Sequence, residues 1–98
     1  MTNFTGKYVI VRGDRSGVFA GTLANKKGRE VELRNCRRLW YWDGASSISQ
    51  IAKEGVKKPL NCKFTVMIDE IVILDTIEII PCTAVSEANI MEVKEWKQ

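Results

Sequence analysis

The chain has 98 residues, 45% of them apolar and 28% charged, with a formal charge of +3. That length supports one domain, 1–98, with a real core and leaves no room for a second, and apolar runs of about four residues are far too short to span a membrane. The opening MTNFTGKYVIVRGD lacks the charged leader and long apolar segment of a signal peptide, so the expected location is the cytoplasm.

Residues 7–12, KYVIVR, are β-branched and short, and the turn chemistry of GDRSG at 13–17 follows; together they predict a strand and a hairpin loop. VFAGTLA (18–24), the polar turn NKKG (25–28) and the long alternating run REVELRNCRRLWYW (29–42) complete a three-stranded antiparallel meander. The period then changes. Ile48, Ile51 and Ala52 fall at i, i+3 and i+4, Ser47 with Gln50 has the spacing of a capping box, and Gly55 provides a stop, so a short helix is inserted there. After VKKPLN, the stretch KFTVMIDEIVIL (63–74) is too long and apolar for one exposed strand and is expected to break near Asp69 and Glu70. TIEIIPC (76–82) is the last strand, Thr83 caps a final helix reaching about Val93, and Trp96 lies in the tail.

Five or six short strands cannot bury both faces of a flat sheet in so small a chain. The fold class expected is therefore β-rich α+β: a small, strongly bent antiparallel sheet or partly open barrel, with one inserted and one C-terminal helix, coiling at Gly17, Gly21 and Gly28. GVFAGTLANKKGREVELRNC resembles the first strands of Sm-like small barrels, with Gly21 and Leu23 in place, but the Asp and Asn that those RNA-binding rings use in the following loop are missing.

Cys36, Cys62 and Cys82 form no CxxC pair, and histidine is absent. No metal site or cofactor is expected; the thiols are predicted to be reduced, small buried hydrophobes. Without histidine the chain lacks the usual general base and the usual partner of a Ser or Cys nucleophile, which points away from an enzyme. Asp69 with Glu70 reads as a turn or edge protection rather than a catalytic pair.

Charge is polarised along the chain: residues 1–63 carry 13 basic against 5 acidic side chains, residues 64–98 carry 2 against 7. A basic surface for an anion, or complementary surfaces between subunits, both follow from such asymmetry. If no bulge interrupts residues 29–42, alternation places Val31, Leu33, Asn35, Arg37, Leu39 and Tyr41 on one, mostly core, face. Glu30, Glu32, Arg34, Cys36, Arg38, Trp40 and Trp42 then share the other.

An outward Trp40 and Trp42 beside Arg34 and Arg38 has three readings: a mini-core covered by the inserted helix through Ile48 and Ile51, a subunit interface, or a platform where indole stacks on a nucleobase and guanidinium holds phosphate. Ser46 and Ser47, at the predicted helix start, would add anion-binding groups or act simply as N-caps. Arg12 and Arg15 at the first turn, with Lys26 and Lys27 at the second, would form a basic rim if those loops share a side. Lys53, Lys57 and Lys58 extend the basic surface or are plain solvated charge.

YVIVRGDRSGVFAG, RNCRRLWYWDGASSISQIAKEGV and IEIIPCT together resemble a family of small, uncharacterised phage and prophage accessory proteins, over nearly all of the chain. The resemblance implies expression in an infected bacterial cell. By analogy with small homo-oligomeric phage proteins that have basic, aromatic pockets, the leading expectation is counter-defence: a host immune signalling nucleotide, of the cyclic ADP-ribose or cyclic dinucleotide type, bound and sequestered without cleavage. The ligand-binding candidates are Arg34, Arg38, Trp40, Trp42, Ser46, Ser47, Arg12 and Arg15, with no catalytic residue and no membrane partner. The alternatives are a small-barrel module for single-stranded nucleic acid and a protein-binding inhibitor of a host enzyme.

Overall fold

A computed structural model describes residues 3–98. Six strands, β1 (Tyr8–Gly13), β2 (Val18–Lys27), β3 (Glu30–Tyr41), β4 (Lys63–Phe64), β5 (Ile68–Ile73) and β6 (Thr76–Pro81), form one antiparallel sheet, with helices α1 (Ile48–Glu54) and α2 (Ala84–Glu92). The path runs β4-β3-β2-β1-β6, and β5 also pairs with β3. β5 and β6 thus lie at opposite ends of the sheet although only Leu74 and Asp75 separate them in sequence. The sheet must coil until its ends nearly meet, yet it remains open: a backbone bond from the Thr76 N–H to the Arg29 carbonyl, 3.2 Å, bridges the gap at the turn. The strongly bent sheet with an inserted and a C-terminal helix is the architecture that the sequence predicts.

Coiling makes two cores from one sheet. Val9, Val11, Phe19, Leu23, Val31, Leu33, Cys36 and Ile73 fill the concave side. Tyr8, Ile10, Ala20 and Leu39 face the other way and are covered by Ile51, Ala52 and Val56 at α1 and by Ile90 and Val93 at the end of α2. β1 is therefore buried on both faces, which is why YVIV is a continuous apolar run rather than an alternating one.

Residues 29–42 do not alternate throughout. Ala20 pairs with Arg37 and Thr22 with Arg34, so Gly21 alone opposes Asn35 and Cys36 in a β-bulge. Asn35 takes the left-handed φ of 48°, which asparagine tolerates better than most residues. Gly21 is required opposite it, because a Cβ there would lie 2.5 Å from that of Cys36. Past the bulge the faces exchange: Val31 and Leu33 belong to the concave core, whereas Leu39 belongs to the helix side. A second irregularity leaves Trp40 without a partner between the pairs Leu39 with Phe64 and Tyr41 with Lys63.

The break expected near Asp69 and Glu70 falls instead at Thr65–Met67, and β5 runs straight through both carboxylates. At the break Thr65 is tied to β3, with Arg38 N–H donating to Thr65 Oγ1 at 2.9 Å and Thr65 N–H to Arg38 O at 3.0 Å. Ser47 caps α1, accepting from the Gln50 N–H, and Gly55 ends it. The reciprocal half of the capping box is displaced by one residue, since Gln50 Oε1 accepts from the N–H of Ser46, at 2.7 Å, rather than from that of Ser47. Thr83 caps α2 as predicted.

Candidate aromatic binding face

The sequence places Arg37 on the core side of β3, and burial of an arginine demands an explanation. Its guanidinium is only 2% exposed and has no carboxylate at ion-pair distance among the described residues. Instead it donates to four carbonyls: Thr65 (3.0 Å) and Phe64 (3.1 Å) at the end of β4, and Ile90 (2.9 Å) and Val93 (2.7 Å) at the end of α2. Those last two carbonyls lie at the C-terminal, negative end of the helix dipole, where Ile90 O also accepts from the Val93 N–H at 3.3 Å, so the cation is stabilised by oriented dipoles. Burial lowers the Arg37 pKa from its ordinary value, but a guanidinium stays charged. Arg37 thereby fixes where the C-terminal tail leaves the domain.

The tail continues from this anchor along β4. Phe64 and Glu95 form a parallel bridge, the Trp96 N–H donates to the Phe64 carbonyl at 2.8 Å, and Glu95 Oε2 accepts from the Met67 N–H at 2.7 Å. That last bond holds the Glu95 carboxyl below its ordinary pKa. Trp96 is brought onto Trp40, with centroids 5.0 Å apart and planes inclined by 27°. The Lys63 ammonium lies 5.4 Å from the Trp40 centroid and 5.5 Å from that of Trp96, within cation–π distance of both. Trp40 remains 57% exposed and Trp96 39%, so the pair is a surface platform and not a closed core.

Of the eight predicted ligand residues, Trp40 belongs to this platform, and Arg38, two residues before it on β3, has no ion pair among the described residues. Arg38 is exposed, and its guanidinium spans the buried Phe19 ring at 4.6 Å. It borders a hollow of about 240 Å³ lined also by Cys36, Thr65 and Ile68. Trp42 does not share the face: it is half-buried against the helix-side core together with Ala45 and Ile48. The covered mini-core thus describes Trp42 and fails for Trp40. Arg34 pairs with Glu32 at 2.9 Å, and Arg12 with Glu78 at 2.9 Å.

Ser46 and Ser47 are occupied by the start of α1, Ser46 donating through its hydroxyl to Gln50 Oε1 at 2.9 Å and Ser47 serving as the N-cap. Arg15 is exposed, and its N–H donates to Asp75 Oδ2 at 2.8 Å. In the second turn, Lys26 Nζ donates to the Gly28 carbonyl at 2.8 Å. The sequence reading passed over Trp96 and Lys63. The signal available was a lone tryptophan in a polar tail, which needs a partner elsewhere in the chain.

The thiols are poorly suited to nucleophilic chemistry: burial raises the Cys36 and Cys62 pKa values and pushes Cys82 up to about 11. Among the described residues no cluster of His, Cys, Asp or Glu is arranged to hold a metal, and no helix is long and apolar enough to cross a membrane.

A protein-family model described as a domain of unknown function, DUF6948, matches residues 6–90, and the chain belongs to that family. No curated protein and no solved structure matches it. Arg38, Trp40 and Lys63 fall inside the matched region and Trp96 beyond it.

Proposed function

We propose that this member of the DUF6948 family binds nucleobases without cleaving them, on the platform of Trp40, Trp96 and Lys63, with Arg38 beside it. The observation that carries this reading is the exposed, pre-stacked pair of indoles under an ammonium group. A base extends such a stack for roughly 1–3 kcal/mol, and cations at its edge meet the phosphate. Pre-stacking also lowers the ordering cost of binding.

Single-stranded nucleic acid is the ligand favoured by this geometry. The platform is open, and the neighbouring hollow of about 240 Å³ is smaller than the roughly 300 Å³ at which small-molecule pockets begin. A strand lying across the surface needs no enclosure. The second reading is counter-defence in a phage-infected cell, by sequestration of a signalling nucleotide. It requires a second wall, and the exposed Tyr41 next to Trp40 favours a second copy of the chain as that wall, in a homo-oligomer.

Native mass spectrometry with a panel of cyclic adenine and guanine nucleotides and, separately, a short single-stranded oligonucleotide distinguishes the two. Retention of the oligonucleotide by a monomer supports the first, and an oligomer holding one unchanged nucleotide per site supports the second. Salt separates them again, because several phosphate contacts produce a steep fall in affinity and a dinucleotide-sized ligand a shallow one. Retention of neither refutes nucleobase binding.

A further inference from the structure

The opening in the sheet forms a groove remote in sequence from the tryptophan platform. It has a volume of about 870 Å³ and lies between the Asn3–Thr5 segment, the far end of β2, Gly28 with Arg29, and the first residues of β6. Its apolar wall consists of Leu23, a member of the concave core, with Phe4 and Ile79, which pack against that core from outside. The groove is therefore where the interior of the coiled sheet reaches the surface.

Lys26, Arg29, Glu78 and Thr76 stand at this wall. Lys26 and Arg29 have no carboxylate at ion-pair distance among the described residues; Lys26 Nζ donates to the Gly28 carbonyl at 2.8 Å, and Arg29 Nε makes only a long contact, 3.4 Å, with the Thr76 carbonyl. Glu78, the acidic residue of the lining, is paired with Arg12 at 2.9 Å. Thr76 is 6% exposed, and its hydroxyl has no hydrogen-bond partner. A buried hydroxyl without a partner is costly; it is closed to solvent in this structure, so a ligand oxygen satisfies it with a small shift of the lining side chains.

From these observations we infer that the groove binds a small amphipathic monocarboxylate. The carboxylate sits on the Arg29 fork and the Thr76 hydroxyl, Lys26 adds positive charge at the rim, and an alkyl body lies on Phe4, Leu23 and Ile79. A planar fork beside a hydroxyl suits the two oxygens of a carboxylate, and an apolar wall continuous with a core suits a hydrocarbon chain.

The test is a titration of 15N-labelled protein with octanoate, octylammonium and acetate, read from amide shifts. Octanoate is expected to give saturable shifts centred on Leu23, Arg29 and Thr76, with octylammonium and acetate at least tenfold weaker. Arg29→Gln, on an exposed side chain, is expected to weaken octanoate at least tenfold, and the nearly isosteric Thr76→Val severalfold; the unperturbed amide dispersion of each variant reports that it is folded. Absence of saturable shifts, equal response to octanoate and octylammonium, shifts centred on Trp40, or affinity unchanged in both variants would each overturn the assignment.

Discussion

The indoles of Trp40 and Trp96 stack at 5.0 Å, joining the end of β3 to a tail that lies beyond the last helix. The stack is positioned from behind by Arg37, which draws the carbonyls of Phe64, Ile90 and Val93 to one guanidinium. Exposed indole pair and buried cation are thus consecutive consequences of one strand, β3, whose bulge at Asn35 turns Arg37 and Leu39 inward on the helix side.

Arg37→Leu removes a donor from four carbonyls; Phe64 O keeps the Trp96 N–H and Ile90 O the Val93 N–H, whereas Thr65 O and Val93 O lose their side-chain donor, at about 1–3 kcal/mol for each buried group left without a partner. Urea unfolding is expected to show a loss of at least about 3 kcal/mol, and the near-ultraviolet signal of the indole pair should weaken even at low urea. A loss under about 1 kcal/mol would mean that the tail is held by other contacts.

Trp42 and Trp40 should respond in opposite ways. Trp42→Ala opens a cavity against the helix-side core and is expected to cost roughly 2–4 kcal/mol with little direct effect on ligand binding by the folded fraction. Trp40→Ala leaves stability nearly unchanged and removes the platform. Thermal melts of the two variants check the contrast, and equal destabilisation would place both indoles in the core.

Lowering the pH should loosen the tail. The folded Glu95 pKa is depressed, chiefly by the Met67 N–H, so its contribution is fully present above the unfolded value of about 4.3 and is lost as the pH falls through the lower folded value. Asp75 shifts the same way through the Ser16 hydroxyl and the N–H groups of Arg15 and Ser16. Near-ultraviolet circular dichroism should therefore report loss of the Trp40–Trp96 couplet below about pH 4. In Glu95→Gln that acid-dependent step should be absent; its persistence would move the cause to another carboxylate.

Gly21→Ala is expected to cost about 1–3 kcal/mol, since the new methyl must displace Cys36 or flatten the bulge. Gly28→Ala meets nothing within 4 Å and pays only for its φ of +60°, so the comparison by urea unfolding isolates the packing clash from backbone strain. Equal losses would mean that the close approach at Gly21 relaxes freely.

Much of this was legible in the residues because it is encoded locally. Ser47, Gly55 and Thr83 mark helix ends through short-range hydrogen bonds, and the shortness of the strands together with the glycines demanded a coiled sheet. The face of each β3 side chain was not legible, because Asn35 shifts the alternation by one residue and no neighbouring residue announces it. Leu33 and Cys36, three residues apart, share one core, a pattern that strict alternation forbids. Trp96 is the harder case: its partners, Trp40 and Lys63, are set by tertiary contacts across most of the chain. Arg12 and Arg34 look free in sequence and lose that freedom to Glu78 and Glu32 only on folding.

The most direct measurement is an anisotropy titration of a labelled single-stranded oligonucleotide with the wild-type protein and with Trp40→Ala, at low and moderate salt. Nucleobase binding on the Trp40–Trp96 platform predicts saturable binding by the wild type and a loss of roughly fivefold or more in the variant, from about 1–3 kcal/mol for one stacked base, with the fold intact by circular dichroism. Saturable binding of equal strength by both proteins, or none by the wild type to this strand or to any nucleotide of the panel, would contradict it.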